Sequence, residues 1–126
     1  MMNAKKKCII IEDSPAFVKI LEVYIGKIGY IDIISVHDDS ISSAVSIFRQ
    51  KPDLIFLDVS ISGLNGLDML ETLEDRPKTI VISNHSSDFL ENYKNVKIDA
   101  FLQKPVDFDT FQKVLEEVLP ADSAMA

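Results

Sequence analysis

Pro52-Asp53-Leu54-Ile55-Phe56-Leu57-Asp58-Val59-Ser60 is the stretch whose reading decides the fold. The apolar run Leu54 to Leu57 suits a strand buried on both faces, as the strands of a parallel sheet are. Pro52 stands just outside the run, where its missing N–H leaves the ladder intact. The run stops on a carboxylate, Asp58, and Ser60, Ser62, Gly63, Asn65 and Gly66 follow as a turn-forming cluster. In an open parallel sheet, ligands bind beyond the carboxyl ends of the strands, so Asp58 is a candidate nucleophile or metal ligand.

Similar runs recur on either side. Cys8-Ile9-Ile10-Ile11 reads as a first buried strand ending on Glu12-Asp13. Ser14 is a good N-cap and Pro15 a favoured first helical residue. Phe17, Ile20, Leu21, Tyr24, Ile25 and Ile28 follow at helical spacing, closed by Gly29. Ile31 to Val36 is a second strand. Ser40 to Gln50 is a second helix, its expected apolar face made of Ile41, Ala44, Val45, Ile47 and Phe48. Beyond the central strand, helices are expected over Leu64 to Leu73, more weakly over Asp88 to Tyr93, and over Phe108 to Leu119. Thr79 to Ile82, ending on Ser83, and Ala100 to Gln103, running into Lys104-Pro105, are the fourth and fifth strands. This alternation predicts an α/β fold with a five-stranded parallel sheet covered by helices on both faces.

A chain of 126 residues, 47% hydrophobic, fits one compact domain with a core over about residues 8–119 and flexible ends at 1–7 and 120–126. The net charge of −7 argues against nucleic-acid or anionic-membrane binding by this domain. No apolar stretch approaches the roughly 20 residues of a membrane span, and the run behind the basic N-terminus is too short for a signal peptide. The one cysteine, Cys8, reads as buried packing in a reducing compartment, so the expected location is cytoplasmic. His37 and His85 fall in different polar loops and are expected to be solvated.

The chemistry lies at the strand ends. Strand one supplies Glu12 and Asp13, strand three Asp58, strand four Ser83 and strand five Lys104. In a parallel sheet these ends share one edge. Carboxylates gathered there repel, by about 4 kcal/mol for a pair about 4 Å apart at an effective dielectric near 20. A divalent cation relieves that repulsion, and a few hard oxygen ligands favour Mg²⁺, with Mn²⁺ as a substitute. Cation, ammonium and hydroxyl are the groups that hold a phosphoryl's oxygens while a carboxylate attacks phosphorus.

With these positions in this order, the sequence resembles the receiver domains of two-component response regulators over about Cys8 to Leu119. The shared pattern is Glu12-Asp13, Asp58, Ser83 and Lys104-Pro105. The segment from Asn95 through Asp99–Pro105 to Phe111 further resembles receivers coupled to LytTR-type DNA-binding domains. The resemblance implies a flavodoxin-like sheet of order 2-1-3-4-5 with five helices in a three-layer αβα sandwich. It implies that Asp58 takes a phosphoryl group from a sensor histidine kinase or phosphotransfer protein. Asp13, Asp58 and the Ser60 backbone carbonyl would hold Mg²⁺ with help from Glu12, and Lys104 would pair with Asp58. Ser83 and Phe101 would be the switch residues, and Lys104-Pro105 a cis peptide. The partners implied are the kinase and an output domain or protein; a homodimer formed on phosphorylation is expected from the apolar fourth and fifth helices. The chain would be a stand-alone receiver or the N-terminal part of a longer regulator, and a signalling switch more than a turnover enzyme.

Some positions depart from the pattern. Glu12 replaces the usual Asp, Ile61-Ser62 the usual Met-Pro, Asn84 a small residue and Phe101 a frequent Tyr. Ser62 and Asn84 keep open a second reading, a phosphorylation-independent receiver-like interaction module. Taken singly, Asp58 is an ordinary turn residue, Glu12-Asp13 a helix-dipole partner and Lys104 a solvated side chain. Their coincidence at one sheet edge favours the joint reading. A haloacid-dehalogenase-type phosphatase would need an acid where Ser60 stands, and a flavodoxin-like flavin site a phosphate loop where Glu12-Asp13 would repel the phosphate. Phe89, Tyr93, Val106 and Phe108 are expected to complete the core, or, if exposed with Phe101, to form a partner surface.

Overall fold

The computed structural model describes residues 5–59, 66–73, 75–86 and 96–121. Five parallel strands, β1 (Lys6–Ile11), β2 (Ile31–His37), β3 (Leu54–Asp58), β4 (Lys78–Ser83) and β5 (Ala100–Gln103), form one sheet of order β2-β1-β3-β4-β5. The helices are α1 (Pro15–Ile28), α2 (Ser40–Gln50), α3 (Gly66–Glu71) and α4 (Phe108–Val118). This is the parallel α/β sheet expected from the alternation of elements, in the flavodoxin-like order implied by the resemblance, with four helices among the described residues. The helix expected over Asp88 to Tyr93 lies outside them, as do Phe89 and Tyr93.

Because side chains alternate along a strand, each central strand feeds two cores. Cys8, Ile10, Leu54, Phe56, Ile80, Ile82 and Leu102 point to the layer of α1 and α4, where they meet Phe17, Leu21, Ile25, Phe111 and Leu115. Ile9, Ile11, Ile55, Leu57 and Val81 point to the layer of α2 and α3, where they meet Ile47, Leu67, Met69 and Leu70. Phe56 and Phe111 stack with ring centroids 5.6 Å apart at the centre of the first layer. Val106 is buried and Phe108 half-buried against the same layer, so these two complete the core.

The caps follow the local sequence. Ser14 Oγ accepts from Phe17 N–H at 3.3 Å with Pro15 in the first turn, and Gly29 closes α1 at φ +87°, a conformation that suits glycine. Asp39 and Asp107 cap α2 and α4 by accepting from Ser42 and Thr110 N–H at 2.7 Å.

Three expectations are corrected. The buried side of α2 is Ser40, Ser43, Ser46 and Ile47, with Ala44 half-buried, whereas Ile41, Val45 and Phe48 are exposed. The helix is turned about one residue, roughly 100°, from the orientation its apolar residues favour. The buried serines are satisfied locally: Ser43 Oγ donates to the Asp39 carbonyl, and Ser46 Oγ lies 3.1 Å from Ser35 Oγ. On α1, Ile20 is exposed because its position faces past the edge of the core that takes Phe17 and Leu21. His37 is the last residue of β2, not a solvated loop residue. Its ring nitrogens lie 3.1 Å from the Ser42 and Ser35 hydroxyls.

Candidate functional site

The register of β1 on β3 runs from Cys8 opposite Leu54 to Ile11 opposite Leu57, so the next residues, Glu12 and Asp58, come level on neighbouring strands. Both are buried, at 3% and 4% exposure, while Asp13 is exposed. One carboxylate oxygen from each of Glu12, Asp13 and Asp58 lies within 4.8 Å of the others. Two like charges at that separation repel by about 3.5 kcal/mol at an effective dielectric near 20. Three hard oxygen donors in such a cluster fit a divalent cation better than any neutral ligand.

Lys104, just past β5, reaches into this cluster. Its backbone N–H donates to the Ser83 carbonyl at 2.8 Å, which fastens it beside the end of β4, and its bond to Pro105 is cis. Its Nζ lies 2.8 Å from Glu12 Oε1 and 3.4 Å from Asp58 Oδ2. The tighter partner is therefore Glu12, with Asp58 the longer contact. The ammonium also sits 4.4 Å from the Phe17 ring centroid, a cation–π contact. Glu12 Oε2 accepts from Ser14 N–H at 3.0 Å at the start of α1.

These contacts set the protonation balance. Burial pushes the Glu12 carboxyl up, from an ordinary 4.5 to about 7, and a hydrogen bond with Asp58 adds to the rise, against the pull of Lys104 and the Ser14 N–H. Burial also works against the Lys104 charge, but Glu12 and Asp58 outweigh it and hold the ammonium above its ordinary value of 10.5.

Ser83 ends β4, fully buried, with Oγ accepting from His85 N–H at 2.9 Å. Phe101 is half-buried within β5, packed on the α2/α3 side of the sheet. Ser60 lies outside the described residues. An open cleft of about 470 Å³ over the cluster is lined by Asp13, Phe17, Ile20, Asp58, Asn84 and Lys104. Asn84, flagged as bulky in the sequence, thus borders the approach to Asp58. Phe17 and the Ser14 N–H were missed; the cap at Ser14 was the only signal for either.

The family model for the response regulator receiver domain matches residues 8–116, and the chain belongs to that family. Curated relatives include an uncharacterized response regulatory protein of Shewanella oneidensis, 26% identical over 88% of this chain and 48% of the relative. The transcriptional regulatory protein BtsR of Escherichia coli is 24% identical over 86% of this chain and 46% of its own. The chain thus spans about half the length of these relatives. Among solved structures, the response regulatory domain of mrkE from Klebsiella pneumoniae superposes with a TM-score of 0.79 at 22% identity, covering 89% of this chain and 93% of that one. The receiver domain of the sensor histidine kinase PA1611 from Pseudomonas aeruginosa, solved with magnesium in its active-site cleft, gives 0.79 at 18% identity, over 94% and 100% of the two chains. The fold is that of a receiver, and the chain is a receiver domain of two-component signalling.

Proposed function

We propose that this receiver accepts a phosphoryl group on Asp58 from the phosphohistidine of a sensor kinase or phosphotransfer protein. An Asp58 carboxylate oxygen attacks phosphorus, the O–P bond forms as the N–P bond breaks, and the electron pair returns to the imidazole nitrogen. The observation that supports this most directly is the gathering of Asp13, Asp58 and Lys104 around one open cleft, with buried Glu12 against Lys104. Asp13 and Asp58, with Glu12 and the Ser60 carbonyl, are the residues that would hold Mg²⁺, or Mn²⁺ in its place. The cation supplies charge neutralisation for the phosphoryl oxygens. Lys104 leaves Glu12 to pair with the phosphoryl group, because that group adds roughly −1.5 to −2 charge beside it. Ser83 exchanges the His85 N–H for a phosphoryl oxygen, and Phe101 shifts toward the space this opens.

The shape change would be read by an output domain or protein in the cytoplasm. Transcription is the output that the likeness to BtsR supports. Dimerisation on phosphorylation is a further consequence we infer, and sedimentation left unchanged by a beryllofluoride mimic would rule it out. Intact-mass measurement after incubation with Mg²⁺ and acetyl phosphate tests the central step. Wild type should gain one phosphoryl mass and Asp58→Asn none. Equal adducts on both would reject Asp58, and none on either would favour a phosphorylation-independent interaction module.

A further inference from the structure

Helix α1 restrains Lys104 at both its head and its backbone. An ammonium group has three N–H donors, and Glu12 Oε1 at 2.8 Å and Asp58 Oδ2 at 3.4 Å account for two directions. The Phe17 ring, its centroid 4.4 Å from Nζ, closes a further side and leaves the lysine side chain 11% exposed. Phe17 belongs to the core beneath α1 and also borders the cleft beside Asp58 and Lys104. Ser14 fixes it relative to Glu12: the Ser14 N–H donates to Glu12 Oε2 at 3.0 Å, while Ser14 Oγ accepts from the Phe17 N–H at 3.3 Å. Two turns further along α1, the Tyr24 hydroxyl donates to the Val106 carbonyl at 2.8 Å, which holds the chain two residues past Lys104.

We propose that Phe17 is a positioning residue for phosphoryl transfer. Its ring keeps the Lys104 ammonium turned into the cleft, yet lets it pass from Glu12 to the phosphoryl group on Asp58. This role rests on Asp58 being the phosphoacceptor. An aromatic face attracts a cation through its quadrupole, with no single lone pair to fix the direction. A carboxylate or carbonyl in that place would form a third hydrogen bond, which the ammonium would have to break in order to move. With no group there, the flexible lysine stem would let the strongly hydrated ammonium turn out to water. Phe17 makes and breaks no bond itself; it acts through Lys104.

A phenylalanine that served the core alone would matter through its volume, whereas one that steers Lys104 matters through the charge distribution of its face. Fluorine separates the two, because it withdraws electron density from the ring and changes its shape little. The test places 4-fluoro- or 3,4,5-trifluorophenylalanine at position 17 of the full chain by nonsense suppression, beside Phe17→Leu. Unchanged far-UV circular dichroism would verify folding. In wild type, the ring should displace the Lys104 Hε proton resonances to high field. With acetyl phosphate and saturating Mg²⁺, the rate of adduct formation read by intact mass should fall stepwise. The expected slowing is about two-fold with one fluorine, about five-fold with three and about ten-fold in Phe17→Leu, the range of a desolvated cation–π contact. Equal rates across the fluorinated series on a protein that is labelled, even with Phe17→Leu slow, would reduce Phe17 to packing and overturn the proposal alone. Lys104 Hε resonances without the high-field displacement would also overturn it. No adduct on wild type would overturn it together with the assignment of Asp58.

Discussion

Replacing Asp58 by Asn should stabilise the metal-free protein and remove most of its response to Mg²⁺. One Asp58 oxygen lies within 4.8 Å of oxygens of both Glu12 and Asp13, and Asp58 Oδ2 lies 3.4 Å from Lys104 Nζ. At pH 8, where Glu12 is ionised, and at an effective dielectric near 20, the two repulsions amount to about 7 kcal/mol together, against about 5 kcal/mol for the lysine attraction. Asp13 is exposed, so its share is weakened by solvent. The balance leaves Asn favoured by about 1–2 kcal/mol, a rise in melting temperature of about 5 °C for a domain of this size. Magnesium reverses the order once it reaches about a hundred times its dissociation constant, where wild type gains about 2.7 kcal/mol while the variant, short of a ligand, gains less. The assay is thermal unfolding of both proteins in EDTA and across a Mg²⁺ titration. An Asn variant that melts lower in EDTA, or that gains as much from Mg²⁺ as wild type, would refute the assignment of Asp58 to a crowded acidic cluster.

Lys104→Met removes the counter-charge from buried Glu12 and should cost about 3 kcal/mol at pH 8 in urea unfolding. Because the Glu12 carboxyl is raised from 4.5 to about 7, the folded state holds that proton more tightly than the unfolded chain. Its contribution is therefore fully present below pH 4.5 and lost as pH rises through 7; metal-free wild type should be more stable at pH 5 than at pH 8, and the Lys104→Met defect smaller at pH 5. A defect that does not vary with pH would count against the pairing. Phe111→Ala empties the place stacked on Phe56 and should cost about 3–5 kcal/mol by the same measurement, with the slope on denaturant unchanged. Burial pushes the Cys8 thiol up to about 12, so the native protein should react with a disulfide reagent only after unfolding, and rapid native labelling would contradict the packing of β1.

The strands were legible because a strand buried on both faces leaves a continuous apolar run, and Cys8–Ile11, Leu54–Leu57 and Thr79–Ile82 are such runs. Four site residues were legible for a related reason: Glu12, Asp58, Ser83 and Lys104 are the first polar residues after those runs and after Leu102-Gln103. What escaped was orientation. Apolar spacing on α2 marked a stripe without revealing whether it or the adjacent serine stripe met the sheet, since serine is small and can bond its own helix. The preference of Lys104 for Glu12 over Asp58 escaped too, because tenths of an ångström between two carboxylates leave no trace in composition or spacing.

The level placement of Glu12 and Asp58 restricts how such a chain can vary. Adding one residue inside β1 or β3 would exchange the two cores and carry a carboxylate off the shared edge. Length changes are confined to the connections, and those leading into β3 and β4 from α2 and α3 lie farthest from the acidic cluster. Selection can therefore vary the α2–β3 connection while the carboxylates of Glu12 and Asp58 keep their shared edge.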